Sequence, residues 1–381
     1  MCFRRSGADS FPCQTVRSAL TLTALLVAAA LLPGDPSSDP VRFEYQRRYM
    51  GTLARLVFYA RSEQLARQAA EAAFERIAHL DRVMSDYRED SELSRLNRLA
   101  GTGPVPVSRD LLEVLVRAQE VARKSHGVFD VTCGPVVQLW RRARRQRQLP
   151  DPKRLQSALD AVDYRLLLVD PAHSSVELRK PGMRLDLGGI GKGYAADQAV
   201  GVLKKAGCPR ALVALGGDIA IGDPPPGQQG WRILVWPLEG LAQVGIRESQ
   251  PGADAADRAP QSESAPERAS RRPLVISLAN LGVSTSGDTE QFVEIDGRRY
   301  SHIVDPRTGI GVVARRSVTV IARDATASDS LATAVYVLGA AKGFEVLAAF
   351  GAEGYLVERL GDRLVVEKTR NWPAQVPAVL P

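Results

Sequence analysis

Three observations predict a fold in which helices and strands are mixed. Apolar residues recur at helical spacing in several long segments. Between them lie short runs rich in β-branched and aromatic residues, bounded by turn residues. The composition (381 residues, 45% hydrophobic, 24% charged) supports a substantial core, and the alternation of strands and helices along the chain excludes collagen-like and all-helical readings. The length fits one large domain or two smaller ones.

The elements follow in order. Gln64 to Met84 has helical spacing, with Phe74, Ile77, Leu80 and Met84 on one stripe. Ser108 is placed to cap a second helix, with Asp110 in its first turn and Leu111, Leu115, Ala118 and Ala122 on its buried face. Gly193 to Ala206 reads as a third helix closed by Gly207. Strands are expected at Ala211–Leu215, Trp231–Trp236, Leu274–Leu278, Gln291–Ile295 and Ser317–Ala322. A last helical region runs from Ala327 to about Phe350, and strands at Gly354–Glu358 and Arg363–Glu367 close the domain. Residues 248–272, rich in Ser, Ala, Pro and charge and free of aromatics, are expected to be a disordered insertion. The folded domain is thus expected over residues 41–381.

Residues 1–40 read as an export signal. Arg4, Arg5 and Arg17 precede an apolar stretch from Ala19 to Leu32, of the length of a secretory core (about 7–15 residues) rather than a spanning helix (about 20). Ala28, Ala29 and Ala30 offer a cleavage site, and an uncleaved signal anchor is the alternative. Either way the folded part is expected outside the cytoplasm.

The net charge is +7, and part of it lies in the run Arg141–Arg147. Such a run reads as a solvated loop, with an anionic surface as the competing partner. No nucleic-acid signature accompanies it. Cys133 and Cys208 are distant singletons without a C-x-x-C pair, so a thiolate zinc site is not expected; a disulfide between them stays open.

Three segments carry chemistry. Arg184 to Asp197 runs from a strand through a glycine-rich turn into a helix, an arrangement that favours an anion near Lys192. It is not a Walker A loop, because Asp186 holds the first glycine position and Gly193 follows the lysine. Asp329 and Thr333 share a helix face four residues apart and offer hard oxygens suited to Mg²⁺. His302, one of four histidines, precedes an Asp305-Pro306 turn; beside a phosphate site it is a candidate base.

Together these segments resemble the ApbE family of FAD:protein FMN transferases. The matching pieces are Met50-Gly51-Thr52, Ser85-Asp86-Tyr87 with Ser91–Asn97, Gly127–Thr132, Asp186–Asp197, Leu215–Asp218, Ser284–Asp288, His302–Gly309 and Asp329–Thr333, in the family's order. The resemblance implies an α+β, T-fold-like architecture of mixed sheets with packed helices and an FAD cleft between two halves. It implies that FAD is the substrate, that Mg²⁺ is required, that AMP is released, and that FMN is joined to a Thr or Ser hydroxyl of an exported acceptor protein. It places Met50, Tyr87, Val128, Phe129, Asp130, Asp186, Lys192 and Ile303 at the FAD site. Gly189, through its carbonyl, Asp329 and Thr333 would hold the metal, and His302 would take the acceptor's proton. Family acceptors include membrane electron-transfer subunits, so a periplasmic site or the outer face of the inner membrane is expected. Departures are mild: Ser301 precedes the histidine, Gly191 stands where alanine is common, and the 248–272 segment is long. Competing readings are an FAD pyrophosphatase, a non-catalytic FAD-binding envelope protein and a module that binds anionic surfaces.

Overall fold

The computed structural model describes residues 39–235, 274–288 and 291–376. The expected export signal, as far as residue 38, and the expected 248–272 insertion lie outside the described residues.

The first two strands, Val41–Tyr49 and Thr52–Ala60, form a hairpin that the sequence pattern does not reveal, because the outer strand is largely exposed. Its turn is Met50-Gly51, with φ of 51° and 72°. Two successive positive φ values make the tight loop whose twist suits a hairpin. The hairpin opens an eight-stranded sheet in the order Val41–Tyr49, Thr52–Ala60, Ala211–Leu215, Asp218–Ile221, Gly282–Gly287, Arg316–Ala322, Glu353–Leu360, Arg363–Lys368. All its ladders are antiparallel.

Helices lie on one face of the sheet and beside it. They are α1 (Glu63–Met84), α2 (Glu92–Arg98), α3 (Arg109–Lys124), α4 (Gly134–Gln146), α5 (Pro152–Leu159), α6 (Gly191–Lys205), α7 (Ala325–Leu338) and α8 (Ala340–Ala348). The chain is therefore α+β. Ser62 caps α1 by accepting from Leu65 N, and Ser108 caps α3 by accepting from Leu111 N. Phe74, Ile77, Leu80 and Met84 are buried as their spacing requires, as are Leu111, Leu115, Ala118 and Ala122. In Thr52–Ala60, Ala54, Leu56, Phe58 and Ala60 face the helices. Val57 faces the opposite side, where the paired strands Trp231–Val235 and Leu274–Leu278 bury it with Trp372. A sheet covered on both faces leaves little alternation to read.

A third apolar cluster forms beside the sheet. Trp140 of α4 packs 5.2 Å from the Tyr300 ring and donates to the Gly309 carbonyl at 2.7 Å. This seats the His302–Gly309 turn.

Two expectations are corrected and one open question is answered. The last helical region is two helices, because Gly339 takes φ 78°, ψ −179° and breaks the ladder. The Arg141–Arg147 run is not a loop; through Gln146 it is the second half of α4. Arg141 is largely covered and ion-paired, and Arg144 is half-buried. Cys133 and Cys208 are both free, so they form no disulfide. Among the described residues no helix is long and apolar enough to cross a membrane.

Candidate active site

The site is built where the first turns of α6 and α7 meet. The turn Leu187–Ile190 delivers the chain into α6, with Gly191 N donating to Leu187 O at 2.8 Å. Ile190 provides no side-chain cap. Asp329 of α7 supplies one, accepting the Gly193 N–H at 3.0 Å. The reverse also holds. Asp197 of α6 accepts the N–H groups of Ala325 (2.9 Å) and Thr326 (2.8 Å) and the Thr326 hydroxyl (2.6 Å). Each helix thus caps the other. The approach needs glycine at 193: a Cβ there would lie 2.1 Å from Ala325 O and 2.9 Å from the Asp329 Cβ.

Asp329 is 3% exposed. Burial first, and then the nearby Asp218 carboxylate, push its carboxyl up to about 7; Lys192 and the Gly193 N–H pull the other way. Lys192 donates to Asp218, and its Nζ lies 3.9 Å from Asp329 Oδ2. Burial opposes the lysine's charge, but Asp218 and Asp329 outweigh it and hold it above the usual lysine range. One turn beyond Asp329, Thr333 packs on Gly189: a Cβ at Gly189 would sit 3.0 Å from Thr333 Oγ1 and 3.3 Å from Phe129. Carboxylate, hydroxyl and backbone carbonyl are hard oxygen donors, so this set fits Mg²⁺ better than zinc. Among the described residues no group of three or more His, Cys, Asp or Glu could hold a metal.

A second cluster flanks the first. Arg141 bridges Asp86 and Asp186, at 2.7 Å from the latter. Its guanidinium also covers the Tyr87 ring at 4.2 Å. Asp186 accepts the Gly188 N–H at 2.8 Å, which fixes the glycine turn. Burial and Asp86 raise its carboxyl, against the pull of Arg141. Tyr87 is 76% exposed, so its ring presents one face outward.

His302 lies within electrostatic reach of Lys192 and Arg144. Its Nδ1 is 3.0 Å from the Gln291 carbonyl, which can only accept, so Nδ1 carries the proton and Nε2 is left as the acceptor. Burial, helped by the charges of Arg144 and Lys192, depresses the imidazole to about 4. The ring is neutral at physiological pH.

The expected residues therefore fall into groups. Gly189, Lys192, Asp329, Thr333 and Phe129 converge. Met50 joins them from the hairpin turn, its Cε 3.7 Å from where a Cβ of Gly191 would be. Tyr87 and Asp186 meet through Arg141. Val128 is buried, and Ile303 is half-buried against the main core. Asp130 stands apart in its bonding. Its carboxylate accepts from Thr132 N and Oγ1 and from Tyr164 N, and it organises the loop between α3 and α4.

The family model for the ApbE family matches residues 50–357. The chain is 36% identical over 322 residues to a FAD:protein FMN transferase of Treponema pallidum, covering 81% of this chain and 82% of the relative. It is 27% identical over 351 residues to the protein of that name in Salmonella typhimurium, covering 90% and 92%. Its fold is similar to that of the apo form of the Pseudomonas stutzeri flavinyl transferase ApbE, with a TM-score of 0.70 at 26% identity, covering 87% and 95%. This chain belongs to the ApbE family.

Within this ApbE-family fold, sequence reasoning missed four residues around the site: Asp86, Arg141, Asp197 and Asp218. Three of them stood inside quoted motifs. Their partners lie 26 to 129 positions away, so no local spacing could assign them.

Proposed function

We propose that this chain is a flavin transferase that moves the FMN half of FAD to a Thr or Ser hydroxyl of an exported acceptor protein, with Mg²⁺ as its metal and AMP as the leaving product. The observation that carries the reading is the convergence of Asp329, Thr333 and Gly189 beside Lys192. Asp329, Thr333 and the Gly189 carbonyl would hold the ion. An ion held there would supply charge neutralisation and alignment for the pyrophosphate.

The protein's own groups supply the rest. The first turn of α6 and Lys192 favour the phosphates. Tyr87, stiffened by Arg141, offers a flat face to an aromatic ring of FAD, while Met50, Val128, Phe129 and Ile303 supply apolar surface. Asp130 and Asp186 act on that site indirectly, by fixing the loops that carry it. The acceptor oxygen bonds to the FMN phosphorus, the bond from that phosphorus to the AMP phosphate oxygen breaks, and the hydroxyl proton passes to His302 Nε2. A neutral, pre-oriented imidazole is ready to accept that proton. Export to the periplasm or the outer face of the inner membrane would bring the enzyme to a membrane electron-transfer subunit as acceptor.

The test is direct. Residues 41–381 are mixed with FAD, Mg²⁺ and a threonine-bearing acceptor, alongside Asp329→Ala. AMP release with an FMN-sized mass gain, lost in the variant, is expected. AMP without modified acceptor would indicate hydrolysis. Bound FAD without AMP under any condition would refute the enzyme reading.

A further inference from the structure

Asp218 takes no part in the mechanism above, yet it is buried and is the hydrogen-bond partner of Lys192. Its position is set by backbone. It opens the strand Asp218–Ile221 and pairs in register with Ser284. The Ser284 hydroxyl is 2.8 Å from that of Ser328, the residue before Asp329. Gly216 makes the preceding turn at φ 62°, and a Cβ on Gly217 would press on Thr285 O at 3.1 Å. Sheet and helix thus hold two carboxylates at fixed places, and a flexible ammonium reaches both.

We propose that Asp218 is a positioning residue that draws the Lys192 ammonium away from Asp329 and so keeps that carboxylate open for the metal. The inference rests on the reading of Asp329 as a metal ligand. An ammonium is a point charge on a flexible stem and follows the nearest anion. With Asp218 neutral, the remaining carboxylate near Nζ is Asp329, 3.9 Å away. In a buried setting that attraction is strong. A divalent cation would then have to displace a bonded ammonium before it could bind.

Mg²⁺ binding to the purified protein, measured by calorimetry without FAD, tests this in a double-mutant cycle of D218N and K192M. D218N is expected to weaken Mg²⁺ binding by at least about tenfold, and K192M is expected to recover that loss only in the D218N background. The effect of K192M should therefore be about tenfold larger with D218N than with wild type. Equal effects in the two backgrounds would mean that Asp218 acts through its charge alone, and would overturn the proposal. Unchanged binding by D218N would overturn it too. A wild-type protein that does not bind Mg²⁺ would refute the metal reading itself, before any variant is compared. Melting curves check that each variant folds; if D218N does not, D218S enters the same cycle.

Discussion

Arg141→Met should unlock the flank of the site while sparing its shape. Arg141 neutralises Asp86 and Asp186 together, and the side chains of all three are no more than 17% exposed. Methionine keeps the apolar stem and removes the charge, leaving two carboxylates facing each other. Removing one partner from a buried ion pair costs about 3–5 kcal/mol. Residual solvent contact argues for the lower end, about 3 kcal/mol, or roughly 4–6 °C in melting temperature for a domain of this size. The pH dependence has a definite sign. The Asp186 carboxyl is already raised by burial and Asp86, and losing Arg141 raises it further. A carboxyl with a raised folded pKa favours folding below that pKa and disfavours it as pH rises through it. The defect should therefore be largest near neutrality and shrink toward pH 5. Thermal melts of both proteins across pH 5–8 would show this. A melting-temperature loss below about 1 °C near neutrality, or one that grows on acidification, would refute the reasoning.

Other outcomes are equally specific. His302 should titrate near 4 by proton NMR, not at the usual 6.5, and its contribution to stability should fall as pH drops from 6.5 toward 4, because the unfolded chain takes the proton first; a midpoint near 6.5 would contradict its burial. Gly191→Ala should raise stability by roughly 0.5–1 kcal/mol with activity kept, since its Cβ would meet nothing nearer than 3.7 Å; the denaturation midpoint reports this. Gly193→Ala should do the opposite, pushing α6 from α7 at a cost above about 3 kcal/mol and abolishing AMP release. Unfolded protein from residue 41 onward should react as two free thiols, Cys133 and Cys208, and reductant should leave its melting temperature unchanged.

The sequence by itself determined the local structure and the family. The stripes of α1 and α3, the Ser108 cap, the strands at Ala211–Leu215 and Leu274–Leu278, and the Asp329–Thr333 face all follow from short-range rules of period and capping. Those rules were weakest where burial on both sheet faces erased alternation, as in Thr52–Ala60, and where arginines masked an amphipathic helix, as in α4. The motifs named the chemistry because their residue types and order are properties of the chain. What only the tertiary structure decided is which charge meets which. Lys192 finds Asp218 across 26 residues, Asp186 finds Arg141 across 45, and Gly193 finds Asp329 across 136. These pairings depend on antiparallel register and on how closely two helix starts can pack. Neither is written in any single segment, because a side chain's charge is local while its partner is set by the fold.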